Sequence, residues 1–183
     1  VIRGGIAGHE RPNEGATNVW LTPRWVIDAL GPFDLDPCAA AVRVFDCATR
    51  NITEPEDGLR ADWMGFVWMN PPYGPHLGKW FAKMIEHRNG IALTFARCET
   101  AALQVALGEA DAVLFPSGRL TFHRDDGGTA GNAGAPSMFL AFGMTAASRL
   151  LTSRIEGVFF FKGRRVANEQ QRSLVAQHAP GRP

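Results

Sequence analysis

The chain has 183 residues, of which 45% are hydrophobic and 20% charged, with a formal net charge of +1. That composition belongs to a globular protein long enough to bury a full core without disulfide or metal staples, so disorder, fibre and membrane protein are excluded. The near-balanced charge argues against a strongly electrostatic nucleic-acid clamp and leaves room only for a local basic stripe.

Residues 1–18 are rich in glycine and polar groups, carry no apolar periodicity, and read as a loose arm before a domain over 19–162. Thr22 is placed to cap a helix that has Pro23 in its first turn and stops at Gly31-Pro32. Phe33 to Asp36 alternates as a short strand ended by Pro37. Phe66 to Met69 is an apolar run, a buried strand by its pattern, which three of the next six residues, all prolines, cannot continue. Leu77, Trp80, Phe81, Met84 and Ile85 recur at helical spacing up to Asn89-Gly90. Ile91–Phe95 reads as a strand, Thr100–Leu107 as a helix stopped by Gly108, and Ala112–Phe115, Arg119–Phe122 and Ser137–Phe142 as further strands. Strands alternating with helices predict a mainly parallel α/β sheet, and the crowded later strands predict a terminal antiparallel hairpin. Asp125 to Gly134 is a Gly-rich loop, and 163–183 a polar tail.

The sharpest chemical signal is Asn70-Pro71-Pro72-Tyr73, a tetrapeptide expected by chance about once in a thousand chains of this length. It directly follows a buried strand, and open α/β sheets bind ligands outside the carboxyl ends of their strands. An exocyclic ring amine is a poor nucleophile because its lone pair is delocalised. Acceptors on both of its N–H groups, here the Asn70 amide oxygen and the Pro71 carbonyl, localise that pair. Pro72 stiffens the backbone, and Tyr73, the only tyrosine, can stack on a base. A proline-rich turn with Tyr73 in the core is the plain alternative.

Asp36-Pro37-Cys38-Ala39 is a carboxylate at a strand end followed by small residues, which suits a ligand amine or hydroxyl lying close to backbone. An Asp-Pro turn explains it equally well. Asp57-Gly58-Leu59 is weaker, matching an ordinary Asp-Gly turn. Arg97, Arg119, His123 and Arg124 are candidates to meet a substrate, and Arg149, Arg154, Lys162, Arg164 and Arg165 a candidate basic stripe. The three cysteines, Cys38, Cys47 and Cys98, are widely spaced, and the histidines form no His-x-x-x-His pair, so no metal is expected. Unpaired thiols, and no leader-like segment, fit a reducing cytoplasm.

Taken in order, Trp20-Leu-Thr-Pro23, Phe33-Asp-Leu-Asp36, Asp57-Gly-Leu59 with Trp63, and Val67 to Tyr73 resemble the phage-type, Dam-like DNA N6-adenine methyltransferases. So do Trp80, Phe95-Ala-Arg97 with Thr100, Gly118-Arg119 with Phe122, and Ala135-Pro-Ser137. The resemblance implies a Rossmann-like class I methyltransferase that uses S-adenosylmethionine on DNA, encoded by phage or prophage and acting in the bacterial cytoplasm. It places Trp20, Thr22 and Pro23 beside the cofactor, Asp36, Pro37, Cys38 and Ala39 at its methionine end, Asp57, Gly58 and Leu59 near its adenine, and Asn70 to Tyr73 as the catalytic loop. The glycine-rich turn usual in such enzymes is replaced by Cys38-Ala-Ala40, and no acid clearly ends a second strand to hold the ribose, Asp46 being the nearest candidate. Other planar amines (cytosine N4, an RNA base, a glutamine amide) are alternative acceptors, and a non-catalytic binding module is a further reading. No separate recognition domain is expected, so site choice falls to short loops such as 124–136. The chain is expected to be a monomer or a weak dimer.

Overall fold

Apolar runs alternating with amphipathic stretches place helices on both faces of a sheet. The computed structural model describes residues 20–123, 128–132, 135–161 and 164–166. In chain order the elements are α1 (Arg24–Leu30), β1 (Leu35–Asp36), β2 (Arg50–Asn51), β3 (Val67–Met69), α2 (Leu77–His87), β4 (Gly90–Phe95) and α3 (Ala101–Glu109). There follow β5 (Ala112–Pro116), β6 (Thr121–His123), β7 (Thr129–Asn132), β8 (Ser137–Phe142), α4 (Met144–Thr152), β9 (Gly157–Phe161) and β10 (Arg164–Val166). One eight-stranded sheet has the order β10-β9-β5-β8-β4-β3-β1-β2, and β6 and β7 pair as a separate ribbon.

The sheet is mixed. Strands β2, β1, β3 and β4 pair in parallel. Strand β8 lies between β4 and β5 and opposes both, β9 opposes β5, and β10 opposes β9. All strands except β8 and β9 therefore share one direction. The strands from 112 to 142 do not close the sheet as a terminal hairpin; the antiparallel pair at its edge is β9–β10, so residues 164–166 belong to the sheet and not to a polar tail. The 137–142 strand, by contrast, is inserted in the middle. All six of its residues are buried, and a strand apolar on both faces needs neighbours and cover on every side.

Side chains divide across the sheet. Val26, Ile27 and Leu30 of α1, with Ala146, Ala147 and Leu150 of α4, cover the face that carries Trp68, Ile91, Leu93 and Phe139. Trp80, Phe81 and Met84 of α2, with Leu103 and Ala106 of α3, cover the other, over Leu35, Val67, Met69 and Leu140. The helical spacing in 77–85 thus marks a core face. Helix α2 closes at Arg88, a left-handed residue (φ 52°) whose N–H returns to Met84 O, and α3 runs through Gly108 to Glu109. Helix α4 has no counterpart in the expected elements, because its nine residues offer only three buried positions, two of them alanine.

Helix α1 begins after Pro23 without a side-chain cap, so Thr22 does not serve the helix as expected. The basic stripe is also corrected at Arg149. Its guanidinium lies over the Phe66 ring at 4.2 Å and donates to Pro32 O at 2.7 Å, pinning α4 to the loop before β1. No helix among the described residues is long and apolar enough to cross a membrane.

Because β2, β1, β3 and β4 are parallel, their carboxyl ends, Asn51, Asp36, Met69 leading into Asn70, and Phe95, meet along one edge of the sheet.

Candidate active site at the carboxyl edge of the sheet

Asn70 sits where β3 can no longer pair, because the following prolines lack N–H donors. Its Nδ2 donates to Trp20 O at 2.9 Å and to Thr22 Oγ1 at 3.3 Å. Those contacts fix the amide, since the flipped orientation would set its oxygen against the Trp20 carbonyl, which can only accept. Asn70 Oδ1 is left buried with no hydrogen-bond partner among the described residues. Thr22, buried at 4% exposure, is therefore a support for Asn70 and not a helix cap. The 20–22 segment is itself held by His123 of β6, through Leu21 N to His123 O and His123 N to Leu21 O, both 3.0 Å.

Trp20, Thr22, Asp36, Arg43, Cys47 and Asn70 line one half-open cavity of about 150 Å³, along with Trp68 beneath it. That is below the roughly 300–1,000 Å³ of a complete small-molecule pocket. A cavity of that size admits one end of a ligand. Asp36 is the cavity's acid. Burial raises its pKa from 3.8 to about 6, against a lowering by the Cys38 N–H, which donates to Oδ1 at 3.1 Å. It forms no ion pair among the described residues, so a buried carboxylate stands ready for a cation.

Cys38 lies against Asp36 and the Asn70 backbone. Burial first, then the Asp36 charge, holds its thiol well above its ordinary pKa, and the same causes push Cys47 up to about 12. Neither thiol ionises near neutral pH, so neither is a nucleophile. All three cysteines are free. Among the described residues no group of His, Cys, Asp and Glu converges as a metal site.

Tyr73 does not stand free to stack on a ligand from both sides. Its ring stacks on Phe95 at the end of β4, centroids 4.0 Å apart and 7° from parallel, so Phe95 covers one face. Its hydroxyl is buried without a partner among the described residues, and burial raises its pKa, with the nearby Arg97 guanidinium pulling the other way. Arg97 itself is exposed just past β4, and Arg119 is exposed in the turn between β5 and β6. Arg124 lies outside the described residues.

The Asp57–Leu59 turn is brought beside Pro37. A Cβ added at Gly58 would meet Pro37 O at 1.8 Å, so only glycine permits this approach. Asp57 Oδ1 accepts from Leu59 N at 2.9 Å, and Lys83 of α2 donates to Leu59 O and Ala61 O at 2.6 and 2.7 Å, fixing the turn. Pro37, Cys38, Ala39 and this turn do not line the cavity. Asp46, the candidate ribose acid, is instead a 63% exposed partner of Arg43. Asn51 ends β2 in register with Asp36. Asn51 donates to Ala48 O and buries an unpartnered Oδ1. Its two-residue strand left no periodic signal, and only the pairing with β1 locates it. Phe95 and Arg43 were missed for similar reasons, since neither stands out by type or spacing.

A family profile described as DNA N-6-adenine-methyltransferase (Dam) matches residues 11–156. No curated protein and no solved structure matched the chain.

Proposed function

We propose a function from one premise: the chain belongs to the DNA N-6-adenine-methyltransferase (Dam) family. The reaction is transfer of a methyl group from S-adenosylmethionine to N6 of adenine in DNA, on a Rossmann-like class I methyltransferase fold. It takes place in the bacterial cytoplasm, where the three free thiols stay reduced, and the gene is of phage or prophage origin.

The residues present fit such a cofactor. Asp36, a buried carboxylate that forms no ion pair among the described residues, suits the amino group, and Gly58 lets the Asp57–Leu59 turn press against Pro37 beside it. Trp20, Thr22 and Pro23 wall the opposite side, Cys38 and Ala39 flank the amino-acid end, and Asp57 and Leu59 take the adenine end. Asn51, in register with Asp36, offers its unpartnered oxygen to a ribose hydroxyl. When bound, S-adenosylmethionine supplies a methyl group activated by sulfonium charge.

One observation carries the reading: both donors of the Asn70 amide are engaged by the protein, while its oxygen is held without a partner. That is an acceptor set in advance for a donor the protein does not contain, and preorganised acceptors cost no rearrangement at reaction. The target adenine is flipped out of the duplex. Asn70 Oδ1 accepts one N6 hydrogen and the Pro71 carbonyl the other, so the nitrogen lone pair is freed from the ring. Pro72 keeps the loop rigid. Tyr73, backed by Phe95, presents its other face to the base. Arg97, Arg119, His123 and Arg124 meet the DNA. The proton displaced from N6 leaves to solvent.

Incubation with tritium-labelled S-adenosylmethionine and plasmid DNA, followed by hydrolysis to bases, should place the label on N6-methyladenine. Label confined to cytosine, RNA or protein, or no transfer at all, overturns the assignment.

A further inference from the structure

The cavity that contains Asp36 also contains a guanidinium. Arg43 lies on the loop between β1 and β2 and lines the same walls as Asp36, Thr22 and Asn70. Its side chain is only 25% exposed. Nε and Nη2 each reach Asp46 Oδ1 at 2.6 Å, and Nη1 donates to Ala40 O at 3.1 Å. A guanidinium has five N–H donors in a planar fork, so two remain for a ligand. Asp46, mostly in solvent, holds the arginine from outside.

Asp36 and Arg43 thus present a carboxylate and a guanidinium to one small space without pairing to each other. The ligand complementary to that arrangement is a zwitterion, with ammonium toward Asp36 and carboxylate toward Arg43. Arg43 also acts on Asp36 through space, opposing the effect of burial on its acidity. We propose that Arg43 recognises the carboxylate of the methyl donor's amino-acid end, an inference that rests on the cofactor reading above. Asp46 is its resting support, fixing the guanidinium before the ligand arrives.

The test is isothermal titration of the full chain with S-adenosylhomocysteine and with its decarboxylated analogue, which keeps the amine and lacks only the carboxylate. Arg43→Gln should weaken S-adenosylhomocysteine roughly 10- to 100-fold, the worth of a charge-assisted hydrogen bond, and the analogue by less than about twofold. Arg43→Lys should recover part of the loss, and an unchanged thermal midpoint confirms that each variant folds. Should Arg43→Gln not fold, the wild type decides: it must prefer S-adenosylhomocysteine over the analogue by a similar factor. Wild-type affinity in Arg43→Gln, equal losses for both probes, or no wild-type preference overturns the assignment of Arg43. A wild type that binds neither probe overturns the methyl-donor reading itself.

Discussion

Two side chains at the carboxyl edge carry opposite kinds of unmet demand. Among the described residues, Asn70 holds an acceptor with no hydrogen-bond partner, and Asp36 holds a buried carboxylate with no ion pair. Removing the first, Asn70→Ala, should lower kcat about 100- to 1,000-fold, the range for a lost preorganised hydrogen-bonding group. Affinity for S-adenosylhomocysteine by titration should stay near wild type, and turnover within a few-fold of wild type would count against Asn70. The second has a pH signature. Asp36 binds its proton more tightly folded, at a pKa of about 6, than at its ordinary 3.8. In the ligand-free protein, Asp36's own contribution to stability is therefore fully present below about pH 4, and roughly 3 kcal/mol of it is lost as pH rises through 6. Asp36→Asn should remove that slope in denaturant titrations, matching wild type at pH 4 and exceeding it at pH 7, while losing affinity for the cofactor. A variant less stable than wild type at pH 7 would contradict this account.

Elements matter here through how their ends are held. The 20–22 segment, clamped by β6 on one side, clamps Asn70 on the other, so the ribbon and the Asn70 loop are joined through two backbone hydrogen bonds and the Asn70 side chain. The 57–59 turn is pressed on Pro37 by Lys83 of α2 and by the indole of Trp63, whose Nε1 donates to Gly58 O at 2.8 Å. Gly58→Ala forces a methyl group into the Pro37 carbonyl. It should destabilise by about 1–3 kcal/mol, as overpacking does, and measurably weaken S-adenosylhomocysteine binding. Paired thermal and titration measurements check it, and an alanine variant with both values unchanged would show that the approach is not needed. The residues of this turn were visible in the sequence as an Asp-Gly pair. Their neighbour Pro37 was visible too, yet nothing in their separation along the chain showed that the two turns touch.

At the scale of the whole molecule, β8 joins the parallel half of the sheet, which builds the site, to the antiparallel half. Phe139, fully buried, packs on Trp68 beneath the cavity, ring centroids 6.5 Å apart. Phe139→Ala should cost about 3–5 kcal/mol in denaturant unfolding, the range for a large core deletion. A loss under ~1 kcal/mol would place the core elsewhere. By itself the sequence determined the local states: apolar runs became strands, helical spacing in 77–85 became a buried face, and prolines stopped β3 at Asn70. Those follow from backbone sterics and side-chain periodicity within a few residues. Tertiary structure alone decided where β8 inserts, that Thr22 serves Asn70 and not α1, that Phe95 covers one face of Tyr73, and that Asn51 stands beside Asp36. Each is a contact between distant segments, as the 50-residue separation of Trp20 and Asn70 shows. Such contacts are selected by which buried surfaces fit and which polar groups need partners, and neither is written in any local pattern.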